Sequence, residues 1–314
     1  MTRPSLEKGS GLLVVLALAA VYFIWGSTYL ALRFGLEGFP PFLLGGIRFI
    51  IAGGLMYTVL RLRGTPPPTR RQWWNAGRMG VLLLVGGVGS MTVAESVGVG
   101  SGVAASAAAA IPVWAALVAG SFGQWPARRE WIGLVIGLIG VIVLLQEGDF
   151  QANKLGVVLV VVGPVLWAFG SVWGSRQDMP DGFMAPASQL LVAGVVMLIG
   201  AAIRGERITE TPNATSWLAL AYLILIGSMV AYTAYFYLLK TVRPALATSY
   251  AYVNPLVAVV LGLTLGAEII TGPVLIALPL ILAGVGLVAT ARRNSAASRP
   301  RPLRSARAPL EEAA

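Results

Sequence analysis

The residues able to do chemistry in this chain are few, and most lie inside apolar stretches. Arg48 sits about eight residues into the run Pro40–Leu60, roughly 12 Å from its start. A cation at that depth costs about 3 kcal/mol or more unless it is paired or reaches water. One reading makes it a cavity-facing cation that holds a substrate carboxylate. The other makes it a structural ion pair with Glu95 or Glu37, or a side chain snorkelling to the interface. Glu95 ends the run Arg78–Val97, on the same side of the bilayer as Arg48. It is the candidate for a proton-coupling carboxylate, against the plainer reading of an interfacial Glu in contact with water. Glu268 is expected in an outer turn, with a structural role.

Aromatic side chains form the second group. Trp25 and Tyr29 share a helix face, four residues apart. Trp114 follows Pro112, and Trp167 mirrors Trp25 in the second half. Tyr232, Tyr235 and Phe236 crowd one run, and Tyr250 and Asn254 share a face just before Pro255. Gathered around a central cavity, these groups would stack on flat rings and cage a cation. Each taken singly also fits ordinary packing or the interfacial aromatic belt. Trp73, Trp74, Trp131 and Trp217 stand at run ends and are assigned to the belt.

Several chemistries are excluded by residue type. The chain has no His and no Cys, so no disulfide, no His or Cys metal ligand and no His base is available. It carries no G-x-S-x-G and no phosphate-cradling G-x-x-x-x-G-K-[ST]. We therefore expect no enzyme, no ATP site, no metal and no cofactor.

The elements that position these residues are membrane spans. Of 314 residues, 57% are hydrophobic and 11% charged, with a mean hydropathy of +0.78. A soluble domain carries about 25% charged residues, so most of this surface must face lipid. Ten runs approach the ~20 residues that cross a bilayer. They are Gly11–Leu32, Pro40–Leu60, Arg78–Val97, Ser101–Phe122 and Trp131–Leu145, then Leu155–Gly174, Phe183–Ile203, Ser216–Leu239, Pro244–Leu265 and Thr271–Ala291. The first is read as a retained helix, since its apolar run is longer than a signal core. The fifth is short, and its Gly133, Gly137 and Gly140 suggest close contact with another helix.

The runs repeat. Ser101–Leu117 and the stretch from Pro244 each carry a proline mid-run, Pro112 and Pro255, 143 positions apart. Both prolines are expected to break their helices. Phe42, Ala52, Gly53, Met56, Arg63 and Gly64 find identical residues 141 positions on, and Trp25 meets Trp167 at 142. The expected organisation is a first five-helix repeat over 1–150, a second over 151–291 and a basic disordered cytoplasmic tail over 292–314. Five spans is an odd number, so the two repeats would lie in opposite orientation. With the N-terminus cytoplasmic, the inner segments hold Arg3, Lys8, Arg61, Arg63, Arg70, Arg71, Arg78, Arg128, Arg129, Arg176, Lys240, Arg243 and the tail arginines. The outer ones hold Arg33, Lys154, Arg204 and Arg207. That bias fits the positive-inside rule for ten spans. It accounts for the formal charge of +10 without nucleic acid.

The string Phe23-Ile24-Trp25-Gly26-Ser27-Thr28-Tyr29, with Pro40-Pro41 and Arg48-Phe49, resembles the opening of EamA-type members of the drug/metabolite transporter superfamily. Ala94-Glu95, Ser101-Gly102, Ala104-Ala105, Pro112 and Trp114 resemble its third and fourth helices, and Asn254-Pro255 with Gly266-Ala267-Glu268 its ninth and the turn beyond. The resemblance implies a ten-helix, inverted-repeat carrier of metabolites. Glu268 aligns with Trp125, so that acidic feature occurs once.

The expectation is an all-α polytopic protein of the cell (inner or plasma) membrane with both termini cytoplasmic. It would be a secondary transporter working by alternating access and exporting aromatic or neutral amino acids or related metabolites. Its partners would be that small molecule and the bilayer. The rivals are a multidrug exporter, against which Arg48 counts, an intramembrane enzyme, and a channel.

Overall fold

The computed structural model describes residues 11–99, 101–145, 154–265 and 272–291. Glu268 and the expected tail lie outside them. The described residues form helices and no strands. In chain order these are α1 (Gly11–Leu36), α2 (Pro41–Leu62), α3 (Arg70–Ser96), α4 (Ser101–Ala108), α5 (Ile111–Ser121), α6 (Arg128–Leu145), α7 (Lys154–Gly174), α8 (Met184–Ile203), α9 (Ala214–Thr241), α10 (Pro244–Ala247), α11 (Tyr250–Leu265) and α12 (Gly272–Thr290). Six of them, α1, α2, α3, α7, α8 and α9, are long and apolar enough to cross a membrane.

Local chemistry sets the ends. Thr69 caps α3 in a capping box: its hydroxyl accepts from Gln72 N, and the Gln72 side chain accepts from Thr69 N. This cap starts α3 eight residues before the expected Arg78. The Asn213 side chain caps α9 through Ser216 N at 2.8 Å. α2 and α8 end alike, at the repeat-related Gly64 (φ +83°) and Gly205 (φ +67°). The next N–H reaches back five residues in each case, from Thr65 to Leu60 O and from Glu206 to Ala201 O. A left-handed residue is required there, and glycine adopts it at no steric cost.

Two expectations about proline are corrected. The first-half break falls at Ala109–Ala110, and Pro112 sits in the first turn of α5, where its missing N–H costs nothing. In the second half Pro255 lies inside α11, which runs on through it. The break comes earlier, at Thr248–Ser249. There Thr248 Oγ1 bonds Pro244 O and Ser249 Oγ bonds Leu246 O, each at 2.8 Å. Hydroxyls that compete for local carbonyls favour such an interruption.

Between helices in lipid, close backbone approach supplies the attraction. α2 packs on α8, and a Cβ added at Gly53 or at its counterpart Gly194 would lie 2.7 Å from a backbone nitrogen of the other helix, Leu191 N or Ile50 N. α6 packs on α12 through Gly133, Gly137 and Gly284, which bears out the small-residue face. The remaining contacts between halves come in matching sets: α1 lies on α11 as α7 lies on α5, and α1 on α9 as α7 on α3. α3 and α9 each contain a π-helical stretch, Val81–Gly89 and Leu223–Ala231, 142 positions apart.

Candidate functional site

The π-helical stretches explain where the site forms. A widened turn disturbs the regular ladder and leaves carbonyls for other donors. Trp25 Nε1 on α1 donates to Gly227 O, inside the α9 stretch, at 3.1 Å. Trp167 on α7 lies against the α3 stretch, where a Cβ at Gly87 would come within 2.7 Å of its ring. The two indoles meet with centroids 5.3 Å apart in a T-shaped arrangement. The repeat-related tryptophans thus touch at the centre of the molecule.

A hydroxyl ring locks Trp167. Its Nε1 donates to Tyr235 Oη at 3.1 Å, that phenol meets Ser171 Oγ at 2.6 Å, and Ser171 Oγ donates to Trp167 O at 2.6 Å. Tyr250 packs edge-on to Trp25, with centroids 4.8 Å apart. Tyr232 donates to the Gln189 side chain.

These groups surround a cavity of about 80 Å³ lined by Trp25, Thr28, Tyr29, Arg48, Phe49, Gly87, Met91, Pro164, Trp167, Ser228, Tyr232, Tyr250 and Asn254 among others. A water needs ~10–15 Å³ by this measure, so the space suits a handful of waters, and a larger guest requires it to widen. Arg48 is 5% exposed. Its Nε donates to Ser228 Oγ at 2.7 Å, and its guanidinium stands 5.2 Å from the Phe49 ring centroid. Gly227 makes room for it, since a Cβ there would sit 3.1 Å from Arg48 Nη2.

No described carboxylate lies within ion-pair distance of Arg48. The alternative reading, an ion pair with Glu95 or Glu37, is not found, and the cation stands at the cavity without a counter-charge among the described residues. Asn254 Oδ1 is buried without a hydrogen-bond partner. Both Glu95 oxygens are likewise buried and unpartnered. Glu95 is outside the cavity lining, within electrostatic range of Arg33 and of the Tyr29 phenol.

Of the residues singled out in the sequence, Trp25, Tyr29, Arg48, Trp167, Tyr232, Tyr250 and Asn254 line the cavity. Tyr235 stands one layer behind, fully buried and bonded to Trp167. Trp114 is corrected: it is 37% exposed on the outside of α5 and does not line the cavity. Sequence reasoning missed Ser228, Gln189, Ser171 and Pro164. Gly227-Ser228 was the one visible cue, a small residue and a hydroxyl interrupting the apolar run Leu223–Ala231.

The profile of the EamA-like transporter family matches twice, over residues 12–146 and 154–290. The uncharacterized inner membrane transporter YedA of Escherichia coli K12 is 46% identical over 272 residues, 87% of this chain and 89% of that protein. An uncharacterized transporter of Archaeoglobus fulgidus is 26% identical over 77% of this chain and 85% of its own. A solved crystal structure superposes with a TM-score of 0.72 over 88% of this chain and 96% of that one, at 22% identity, which shows a shared fold.

Proposed function

This chain belongs to the EamA-like transporter family, and from that premise we propose that it is a secondary transporter exporting neutral, chiefly aromatic, amino acids or related metabolites by alternating access. It is a polytopic membrane protein and a membrane transporter. The inner-membrane placement of its relative supports the same location here. Ten spans arranged as two oppositely oriented repeats, 1–150 and 151–291, with both ends cytoplasmic, are the architecture we propose. The matching contacts between halves support it.

The observation that carries the substrate class is Arg48. A buried guanidinium beside a cavity, without a carboxylate partner among the described residues, is complementary to an anionic group. Asn254 Oδ1, an acceptor without a donor, and the faces of Trp25, Trp167 and Tyr250 suit the ammonium and ring of the same molecule. Glu95 we assign as the coupling carboxylate, since both its oxygens are buried without a hydrogen-bond partner among the described residues.

Purified protein in liposomes should move labelled aromatic amino acids across a panel of neutral ones, and leave cationic dyes behind. Movement of the dyes with no amino-acid flux would overturn this reading in favour of a multidrug exporter.

A further inference from the structure

Away from the cavity, the first turns of α3 border a second concavity. It lies between α3, α7 and α8 and is lined by Arg70, Arg71 and Arg78 together with Gly77, Val81 and Val192 among others. The Arg78 guanidinium is held against two indoles, 5.7 Å from the Trp74 ring centroid and 5.1 Å from that of Trp173. One of its N–H groups goes to Asn75 Oδ1 at 2.5 Å, and its Nε has no partner among the described residues. Arg71 has a single long pairing to Asp178, at 3.9 Å between exposed side chains. No described carboxylate is within ion-pair distance of Arg70 or Arg78. Trp74 is 68% exposed. The helix start itself is not the attraction, because the capping box uses Thr69 and Gln72 internally.

We propose that this groove binds an anionic phospholipid, its phosphate on the arginine cluster and an acyl chain along Gly77, Val81 and Val192. Three arginines share the groove with apolar and aromatic side chains, among them the outward-facing indole of Trp74. That pattern matches an amphiphile better than a free anion. Basic clusters at a span end gain about fivefold in affinity for anionic lipid per arginine.

The test is native mass spectrometry of the purified protein, titrated with phosphatidylglycerol and with phosphatidylcholine of the same chains. Wild type should retain phosphatidylglycerol preferentially. The double variant Arg70→Ala/Arg71→Ala, at two exposed positions that leave folding unaffected, should lose roughly 30-fold of that preference. Arg78→Ala should add to the loss. Gly77→Leu should reduce lipid retention by filling the groove, since a Cβ there already lies 3.4 Å from Val192 Cγ1. Arg63→Ala, an exposed basic residue outside the groove, should change nothing. Equal retention of the two lipids would overturn the proposal. So would an equal loss in Arg63→Ala, or displacement of the lipid by inorganic phosphate.

Discussion

Replacing Arg48 separates a substrate-holding cation from a structural one, because each role predicts a change in one measurement and none in the other. A structural buried ion pair loses about 3–5 kcal/mol when one partner is removed. Arg48 has no described carboxylate to strand; it gives up one hydrogen bond, to Ser228 Oγ at 2.7 Å, and its contact with the Phe49 ring, which contributes about 0.5–2 kcal/mol. A hydrogen bond to a charged group contributes about 1.5–3 kcal/mol. Removing an unneutralised charge from the membrane interior returns about 3 kcal/mol. These terms largely offset, so Arg48→Ala should keep its stability within about 2 kcal/mol of wild type. Transport should behave differently. Losing the charged contact to a substrate carboxylate removes about 2–3 kcal/mol of binding, roughly 30- to 150-fold in apparent affinity. Arg48→Lys keeps the charge without the planar fork and should fall between. The assay is counterflow of a labelled aromatic amino acid in proteoliposomes, beside thermal unfolding of the same preparation in detergent. A variant that melts far below wild type, while its folded fraction transports with an unchanged KM, would refute the reasoning.

Three further outcomes follow from the packing. Gly53→Leu should destabilise by about 1–3 kcal/mol, because the α2–α8 crossing has no room for a side chain. Gly54→Leu, one residue on with nothing within 4 Å of its Cβ position, should stay within about 0.5 kcal/mol in the same melting experiment. Glu95→Gln should abolish the response of flux to an imposed pH gradient while leaving exchange of labelled for unlabelled substrate; a full gradient response would remove Glu95 from coupling. Trp114→Ala should leave KM unchanged and Trp25→Ala should raise it at least tenfold, a difference of about 1.4 kcal/mol, in a concentration series of uptake.

Residue type and repeat spacing made the centre of the site legible. Trp25 and Trp167 stood at matched positions, and an arginine deep in an apolar run is expensive enough to demand a reason. What stayed hidden was rotation about the helix axes. A soluble amphipathic helix announces its buried face through polarity, but in lipid both faces are apolar. Trp114 sits mid-run next to a proline, as a cavity residue would, yet α5 turns it outward. The π-helical stretches were invisible for a similar reason: Val81–Gly89 and Leu223–Ala231 have the composition of any spanning helix. The second-half break follows the hydroxyls of Thr248 and Ser249, which bond the carbonyls there, and not Pro255, a weaker helix breaker within a membrane.

The two halves share a scaffold and differ in chemistry, and the difference bears on how a solute is held. Gly53 and Gly194 form the same crossing, Gly64 and Gly205 the same helix ending, and Trp25 and Trp167 meet at the centre. Arg48 corresponds to Gln189, 141 positions on. Both are buried and both reach side chains of α9, the arginine Ser228 and the glutamine Tyr232. The repeat-related pair of positions thus carries a cation on one side and a neutral amide on the other. A cavity with matched halves would accept a guest in either direction along its pseudo-axis. With Arg48 the charged residue of the cavity lining, a substrate acid would have one favourable orientation, its carboxylate toward the first half. Under the alternating access proposed above, that asymmetry would keep the solute attached to the same side chain while access switches. The motion would then follow the duplicated scaffold, and recognition would rest on positions such as Arg48 where the two halves differ.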